Sequence, residues 1–220
     1  MSEDIKKLVF LGPPGAGKGT QAVRLEAEHA WTHISTGDML RAAVRAGTEV
    51  GLKAKGFMDA GELIPDDIMC QMVLERLNQP DCAKGWILDG FPRTAVQAEV
   101  LDESLEDHHW TLDACVYFHI QWRVLVERLS GRLSCKQCGA VYHQIYSPPK
   151  QDNLCDLCGG ELFQREDDRR EAVEHRLQVY KKSTKSLVEY YQQKGKLVTV
   201  EAEGSMDEVS ERLEAALAAL

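Results

Sequence analysis

The apolar run Leu8-Val9-Phe10-Leu11 passes directly into Gly12-Pro13-Pro14-Gly15-Ala16-Gly17-Lys18-Gly19-Thr20 and then into a helical pattern. Strand, glycine-rich loop, lysine and helix in that order form the context of a phosphate-binding loop, so the chain handles a nucleotide. Glycines let the backbone fold tightly enough for its N–H groups to cradle anionic oxygens. The helix behind them adds the positive end of its dipole, and Lys18 adds a movable point charge suited to a triphosphate. The usual pattern sets Ser or Thr directly after the lysine. Here Gly19 intervenes and Thr20 supplies the hydroxyl one position later.

Further apolar runs at residues 86–88, 115–118 and 197–200 read as buried strands, with helical periodicity in most of the gaps. Such alternation predicts an α/β fold, a parallel sheet flanked by helices. The clearest helical stripes are Met206, Val209, Leu213, Leu217 and Leu220 behind the capping box Ser205/Glu208, and Val173, Leu177, Tyr180, Leu187 and Tyr191 upstream. Both are expected to pack on the sheet. Residues 36–80 show helical stretches without a strand, punctuated by Gly47, Gly51, Gly61 and Pro65, and read as a helical excursion beside the core. Residues 133–164 are short, polar and glycine- and proline-containing, as expected of a small metal-held insertion. A chain of 220 residues, 44% hydrophobic, can bury one main domain carrying that insertion.

Lys and Arg total 26 against 35 Asp and Glu, a net charge of −9, which opposes nonspecific nucleic-acid binding and docking on anionic membranes. An anionic ligand must therefore be held by cations gathered locally. No stretch approaches the roughly 20 apolar residues of a membrane span. Residues 1–7 are too polar for a secretory signal, and a cytoplasmic location is expected.

Seven cysteines include two tight pairs, Cys135/Cys138 and Cys155/Cys158, each followed by glycine, with sixteen residues between the pairs. A reducing compartment favours metal over two disulfides, and a redox CxxC would need only one pair. Four thiolates suit tetrahedral zinc ahead of iron and leave no open position for a reacting water, so the metal is expected to hold shape without entering the chemistry. His143 is either a substitute ligand or a surface or hinge histidine.

Arginine gathers phosphate best because its planar fork meets two oxygens at once. Arg128 and Arg132 lie four apart near the end of a predicted helix and share a face at one edge of the insertion; Arg165 and Arg176 bracket its other edge. Arg41 follows Ser35-Thr36-Gly37-Asp38-Met39-Leu40. Arg93 closes Asp89-Gly90-Phe91-Pro92-Arg93 just after a buried strand, where ligands of α/β proteins bind. Any one of these alone reads by default as a solvated or salt-bridged arginine. Asp89 is a candidate for magnesium's water shell or a turn aspartate, and Gln97 in Thr94-x-x-Gln97 either finishes a capping box or reads a base.

As a set the residues resemble the adenylate kinase family, in the long form whose lid carries a four-cysteine zinc site. The resemblance rests on GPPGAGKGT at 12–20, STGDMLR at 35–41, GELIPDD at 61–67, DGFPRT at 89–94, GR at 131–132, the cysteine pairs, VYH at 141–143, SPPK at 147–150 and QREDD at 164–168. It implies a P-loop kinase core over residues 1–34, 65–131 and 169–220, a helical AMP-binding region over 35–64 and a zinc-binding lid over 132–168. Gly15, Ala16, Gly17, Lys18, Gly19 and Thr20 would hold the ATP phosphates, with Arg132, Val141, Tyr142 and the Gly204 region touching the rest of the donor. AMP would meet Thr36, Arg41, Glu62, Leu63, Ile64, Gly90, Phe91, Pro92, Arg93 and Gln97, while Arg165 and Arg176 clamp the exchanged phosphates.

The reaction implied is reversible transfer of the terminal phosphoryl group of MgATP to AMP, giving two ADP. Such a transfer asks for positioning and charge neutralisation, here from Lys18, Arg41, Arg93, Arg128, Arg132, Arg165, Arg176 and Mg²⁺ without a general base. Closure of 132–168 over the donor and 35–64 over the acceptor would exclude water, the adenylate kinase lid being itself a standard example of such gating. ATP, AMP and ADP are the expected partners of a monomer that binds no nucleic acid. Two departures stand out: the family's Val-Asp-Gly is Val200-Glu201-Ala202, and Ala140 replaces the Arg often found in lids without zinc. The rival readings are a GTP-dependent AMP kinase or other nucleoside monophosphate kinase, and a zinc-ribbon nucleic-acid-binding module with a regulatory nucleotide site. Against the latter, residues 135–158 carry only Lys136 and Lys150 as Lys or Arg cations, with Tyr142 and Tyr146 as aromatics.

Overall fold

A computed structural model describes residues 6–220, and the polar reading of residues 1–5 lies outside the described residues. Strand β1 (Lys7–Leu11) leads through the glycine-rich loop into α1 (Lys18–His29). There follow β2 (Thr32–Ser35), helices α2 (Thr36–Ala46), α3 (Glu49–Ala60) and α4 (Asp66–Leu77), then β3 (Trp86–Asp89), α5 (Ala95–Asp107), β4 (Ala114–His119) and α6 (Trp122–Ser130). Three short strands come next, β5 (Arg132–Cys135), β6 (Val141–His143) and β7 (Leu162–Phe163). The chain ends with α7 (Arg170–Val179), α8 (Ser186–Gln193), β8 (Leu197–Glu201) and α9 (Met206–Leu217).

The main sheet runs β2-β3-β1-β4-β8, every pair parallel. Successive strand residues face opposite sides. Val9 and Leu11 of β1 therefore pack into one layer with Leu88, Leu101, Leu187 and Tyr191, and Leu8 and Phe10 into the other with Ile87, Phe118, Leu25, Val173 and Leu213. Helices cover both faces, which is why the central strands read as unbroken apolar runs and not as alternating ones. Strand β2 carries no such run: it sits at the sheet edge, and of Thr32-His33-Ile34-Ser35 only Ile34 is buried. The sequence pattern could not reveal it.

The stripe read as one helix from Val173 to Tyr191 is two, α7 and α8, separated by a π turn at Tyr180–Thr184. Its wider turn brings Thr184 inward, where the buried hydroxyl donates to the Arg93 carbonyl at 2.9 Å. The Ser205/Glu208 capping box is complete. At Thr94 only half of one forms. The threonine hydroxyl caps Gln97 N–H, while Gln97 Oε1 accepts from Arg93 N instead of Thr94 N.

Residues 132–163 fold as a separate three-stranded antiparallel sheet, β6-β5-β7, whose buried centre is Cys135, Tyr142, Cys155 and Leu162. Among the described residues no helix is long and apolar enough to cross a membrane.

Candidate active site

The loop between β1 and α1 sits at the carboxyl end of the sheet's central strand. Gly15 has φ +86°, and a Cβ there would come within 2.9 Å of Leu129 Cγ, so both its backbone conformation and its close approach to α6 require glycine. Gly19 accounts for the variant loop. A Cβ at that position would stand 3.0 Å from Asp89 Oδ2, so the serine or threonine of the usual pattern would press on the carboxylate at the end of β3. Lys18 is folded back onto the loop, donating from Nζ to the Gly12 and Pro13 carbonyls at 2.9 and 3.0 Å. Burial, with Arg93, Arg176 and Arg132 nearby, brings its ammonium down to about 8 against the pull of Asp89.

Arg93 (after β3), Arg132 (β5) and Arg176 (α7) lie near Lys18, and Arg41 (α2) and Arg165 (after β7) lie near those arginines. Asp168, fully buried, takes Arg132 through both carboxylate oxygens and Arg176 at 3.1 Å, and Arg176 also donates to the Asp167 carbonyl at 2.9 Å. Arg165 Nε donates to Ser134 Oγ at 2.7 Å, Arg93 Nε to the Gly90 carbonyl at 2.8 Å, and Arg41 pairs with Asp38. Burial, and then repulsion from Arg132 and Arg41, lowers Arg165 to about 9; burial and neighbouring arginines also lower Arg93 and Arg176. Burial works against Arg132 too, but Asp168 prevails and raises it. Conversely, Asp89 and Asp167 lie below the ordinary carboxylate value despite burial, held there by His33 and Lys18 and by Arg176 and Arg132 respectively. Six cations thus face Asp38, Asp89, Asp167 and Asp168, a local positive surplus in a chain of net charge −9. The arrangement suits a polyanion.

Other expected site residues fall in different places. Arg128 stands apart from this group, donating to the Ala202 and Gly204 carbonyls at 3.0 and 3.3 Å, with the Glu203 carboxylate nearby. It therefore lies against the Gly204 segment. Val141 is exposed, but the next residue in the strand, Tyr142, turns the opposite way and is buried. Thr36 is buried under Asp89 and Gly90, whose carbonyls its hydroxyl meets at 3.2 and 3.0 Å. Phe91 and Ile64 belong to the apolar core, Pro92 is buried, Leu63 is partly exposed, and Glu62 pairs with His175 at 2.6 Å. Gln97 is buried with its amide orientation fixed: Oε1 accepts from Arg93 N at 2.8 Å and Nε2 donates to Asp66 Oδ1 at 2.6 Å.

All four sulfurs of Cys135, Cys138, Cys155 and Cys158 lie within 4.8 Å of one another, with Cys135–Cys158 and Cys138–Cys155 each 3.5 Å apart and none joined in a disulfide. Metal–sulfur bonds of about 2.3 Å in a tetrahedron need sulfurs roughly 3.8 Å apart. The cluster can hold a metal ion. Backbone N–H groups lower Cys135, and first the Tyr142 hydroxyl and then backbone N–H groups lower Cys155, each outweighing burial. His143 is not part of the cluster. Its Nδ1 accepts from Ile145 and Tyr146 N–H at 3.0 and 3.1 Å and Nε2 faces the Glu127 carbonyl at 3.4 Å, so it sits at the junction of α6 and the small sheet.

The adenylate kinase family model matches residues 10–196, a span that holds the phosphate loop, all the arginines named above and the four cysteines. The chain belongs to the adenylate kinase family. The adenylate kinase of Archaeoglobus fulgidus is 53% identical over 210 residues, 96% of this chain and 97% of that one. Those of Methanosarcina mazei and Carboxydothermus hydrogenoformans are each 52% identical over 211 residues, covering 96% of this chain and 98% and 99% of theirs. Membership makes the chain a nucleoside monophosphate kinase.

The polar partners that hold the site residues escaped sequence reasoning. Asp168 and Asp167, Asp38, Asp66 and His33, whose Nε2 lies 3.6 Å from Asp89 Oδ2, all sit inside or beside motifs already singled out. A local signal existed for Arg41, with Asp38 three positions before it, but not for Arg132 or Gln97, whose partners Asp168 and Asp66 lie thirty-six and thirty-one positions away. Which acid turned inward depended on tertiary packing.

Proposed function

We propose that the chain transfers the terminal phosphoryl group of ATP reversibly to AMP, giving two ADP, with the nucleotides laid end to end across the cleft. The observation that carries this reading is the surplus positive charge of Lys18, Arg41, Arg93, Arg132, Arg165 and Arg176, drawn from six separate parts of the chain. Residues 15–20 take the donor phosphates, with Lys18 exchanging the Gly12 and Pro13 carbonyls for phosphate oxygens. Arg128, Val141 and the Gly204 segment frame the rest of the donor. Arg41 and Arg93 take the acceptor phosphate, Arg41 leaving Asp38 to do so, and Thr36, residues 62–64 and Gln97 border the AMP.

An acceptor phosphate oxygen attacks the γ-phosphorus in line. The bond from γ-phosphorus to the bridging oxygen breaks, and its electron pair stays on the departing ADP. The acceptor oxygen is already anionic, so no general base is required, and Arg165 and Arg176 neutralise charge spread over the transferred group. Mg²⁺, when bound with ATP, supplies further neutralisation of the phosphate oxygens. Asp89, kept anionic beside Lys18, and the Thr20 hydroxyl are the groups that would hold it or its waters. Residues 35–64 and 132–168 act as closing arms on a core of 1–34, 65–131 and 169–220. Zinc fits the four thiolates of the lid and would give that arm its shape. The reading is of a monomer in the cytoplasm acting on small molecules.

A GTP-dependent AMP kinase is the second reading, favoured by the departure at Val200-Glu201-Ala202 beside the donor frame. A coupled assay pairing ATP and GTP with AMP, GMP, CMP and UMP decides between them. ATP with AMP is expected to be fastest. Faster turnover with GTP would move the chain to the second reading, and no transfer from any pair would reject both.

A further inference from the structure

Val141 and Tyr142 are neighbours on β6, and a strand sends adjacent side chains to opposite faces. Val141 is exposed and Tyr142 is buried beside Cys135, Cys155 and Leu162. The Tyr142 hydroxyl lies 3.4 Å from Cys155 Sγ and accepts from Asp156 N–H at 2.8 Å. With one lone pair taken by that amide, its proton is free to be donated to the sulfur. No other side chain outside the four cysteines is hydrogen-bonded to a cluster sulfur among the described residues; Cys135 is served by the backbone N–H of Gln137 at 3.4 Å.

Four thiolates around a divalent ion leave a net double negative charge in a unit with almost no apolar core of its own. A hydrogen-bond donor at one sulfur disperses part of that charge, and it fixes the ligand's direction before the metal arrives. The same hydroxyl ties the Cys155–Cys158 turn to β6, so two of the four ligands depend on it for their position.

We propose that Tyr142 is a positioning residue of the metal centre, its hydroxyl donating to the Cys155 thiolate and orienting the second cysteine pair. This rests on the metal reading of the four-cysteine cluster. The side chain is thereby turned from the donor nucleotide to the metal, and Val141 becomes the residue of the pair that faces outward.

The test compares the full-length protein and Tyr142→Phe, each loaded with zinc and then with cobalt. Metal affinity is measured by competition with a chromogenic chelator, and the cobalt-loaded forms by absorption spectroscopy. Removal of such a hydrogen bond is expected to weaken metal binding by roughly 10- to 100-fold. The sulfur-to-cobalt charge-transfer band should move to lower energy, because a thiolate without its donor gives up an electron more easily. A general loosening of the fold would not by itself move that band in one direction. Unchanged affinity together with an unmoved band would overturn the role of Tyr142 while leaving the metal site standing. Failure of the unsubstituted protein to bind either ion would overturn the metal reading, and this inference with it.

Discussion

The parallel-sheet body packs an apolar layer against each face of five strands, while the small antiparallel sheet buries little more than Cys135, Tyr142, Cys155 and Leu162. Units below about 40 residues rarely bury enough surface to fold alone and are commonly stapled by a metal. The body is therefore held by the hydrophobic effect, and on the proposed metal reading the small sheet is held by its thiolates. Charge ignores this boundary. Arg132 comes from the small sheet and Arg165 from just after it, Lys18, Arg93 and Arg176 from the body, and Asp168 at the junction holds one arginine of each kind. Two modes of construction thus converge on one electrostatic site.

The comparison breaks most visibly on metal removal, because structural zinc contributes about 10–16 kcal/mol to small zinc-held units. Chelation is expected to abolish amide-exchange protection across residues 132–163 while β1, β3 and β4 stay protected; loss of protection everywhere at once would show that the two regions are not separately built. Leu88→Ala, in the centre of the sheet, should act the other way, costing about 2–5 kcal/mol of global stability by chemical denaturation without changing metal content. Lys18→Met should leave both regions folded yet lower kcat by roughly 100- to 1000-fold, the usual cost of deleting one preorganised charge. Wild-type turnover in that variant would remove the phosphate loop from the chemistry.

The smallest effect is a matter of protons. Lys18 stands at about 8 in the free protein, and a polyphosphate beside it should raise it. Between pH 8 and 10, ATP binding is therefore expected to take up part of a proton, and affinity should fall as pH rises through that window. Calorimetry in buffers of different ionisation enthalpy reads this directly, and Lys18→Met should abolish the uptake.

The central strands were legible because helices on both faces make them apolar throughout, and the phosphate loop and cysteine pairs were legible because fixed spacing carries their chemistry. Strand β2 was not, since an edge strand with one buried residue leaves no run to see. Nor was the break between α7 and α8, where the π turn trades a local helical bond pattern for the Thr184 contact with Arg93, a residue ninety-one positions away. Gln97 shows the same limit at the site. Its capping-box spacing was visible, but its side chain answers to Arg93 and to Asp66, thirty-one positions away. Long-range partners decide such cases, and spacing along the chain does not encode them.

The most direct measurement uses two adenosines joined by five phosphates, long enough to occupy donor and acceptor sites together. One molecule should bind per chain, compete with both ATP and AMP, and bind far more tightly than either nucleotide, with Arg41, Arg132, Arg165 and Arg176 all on its phosphates in a co-crystal structure. Competition with ATP alone, or arginines still paired only with Asp38, Asp167 and Asp168 in the complex, would contradict the end-to-end arrangement.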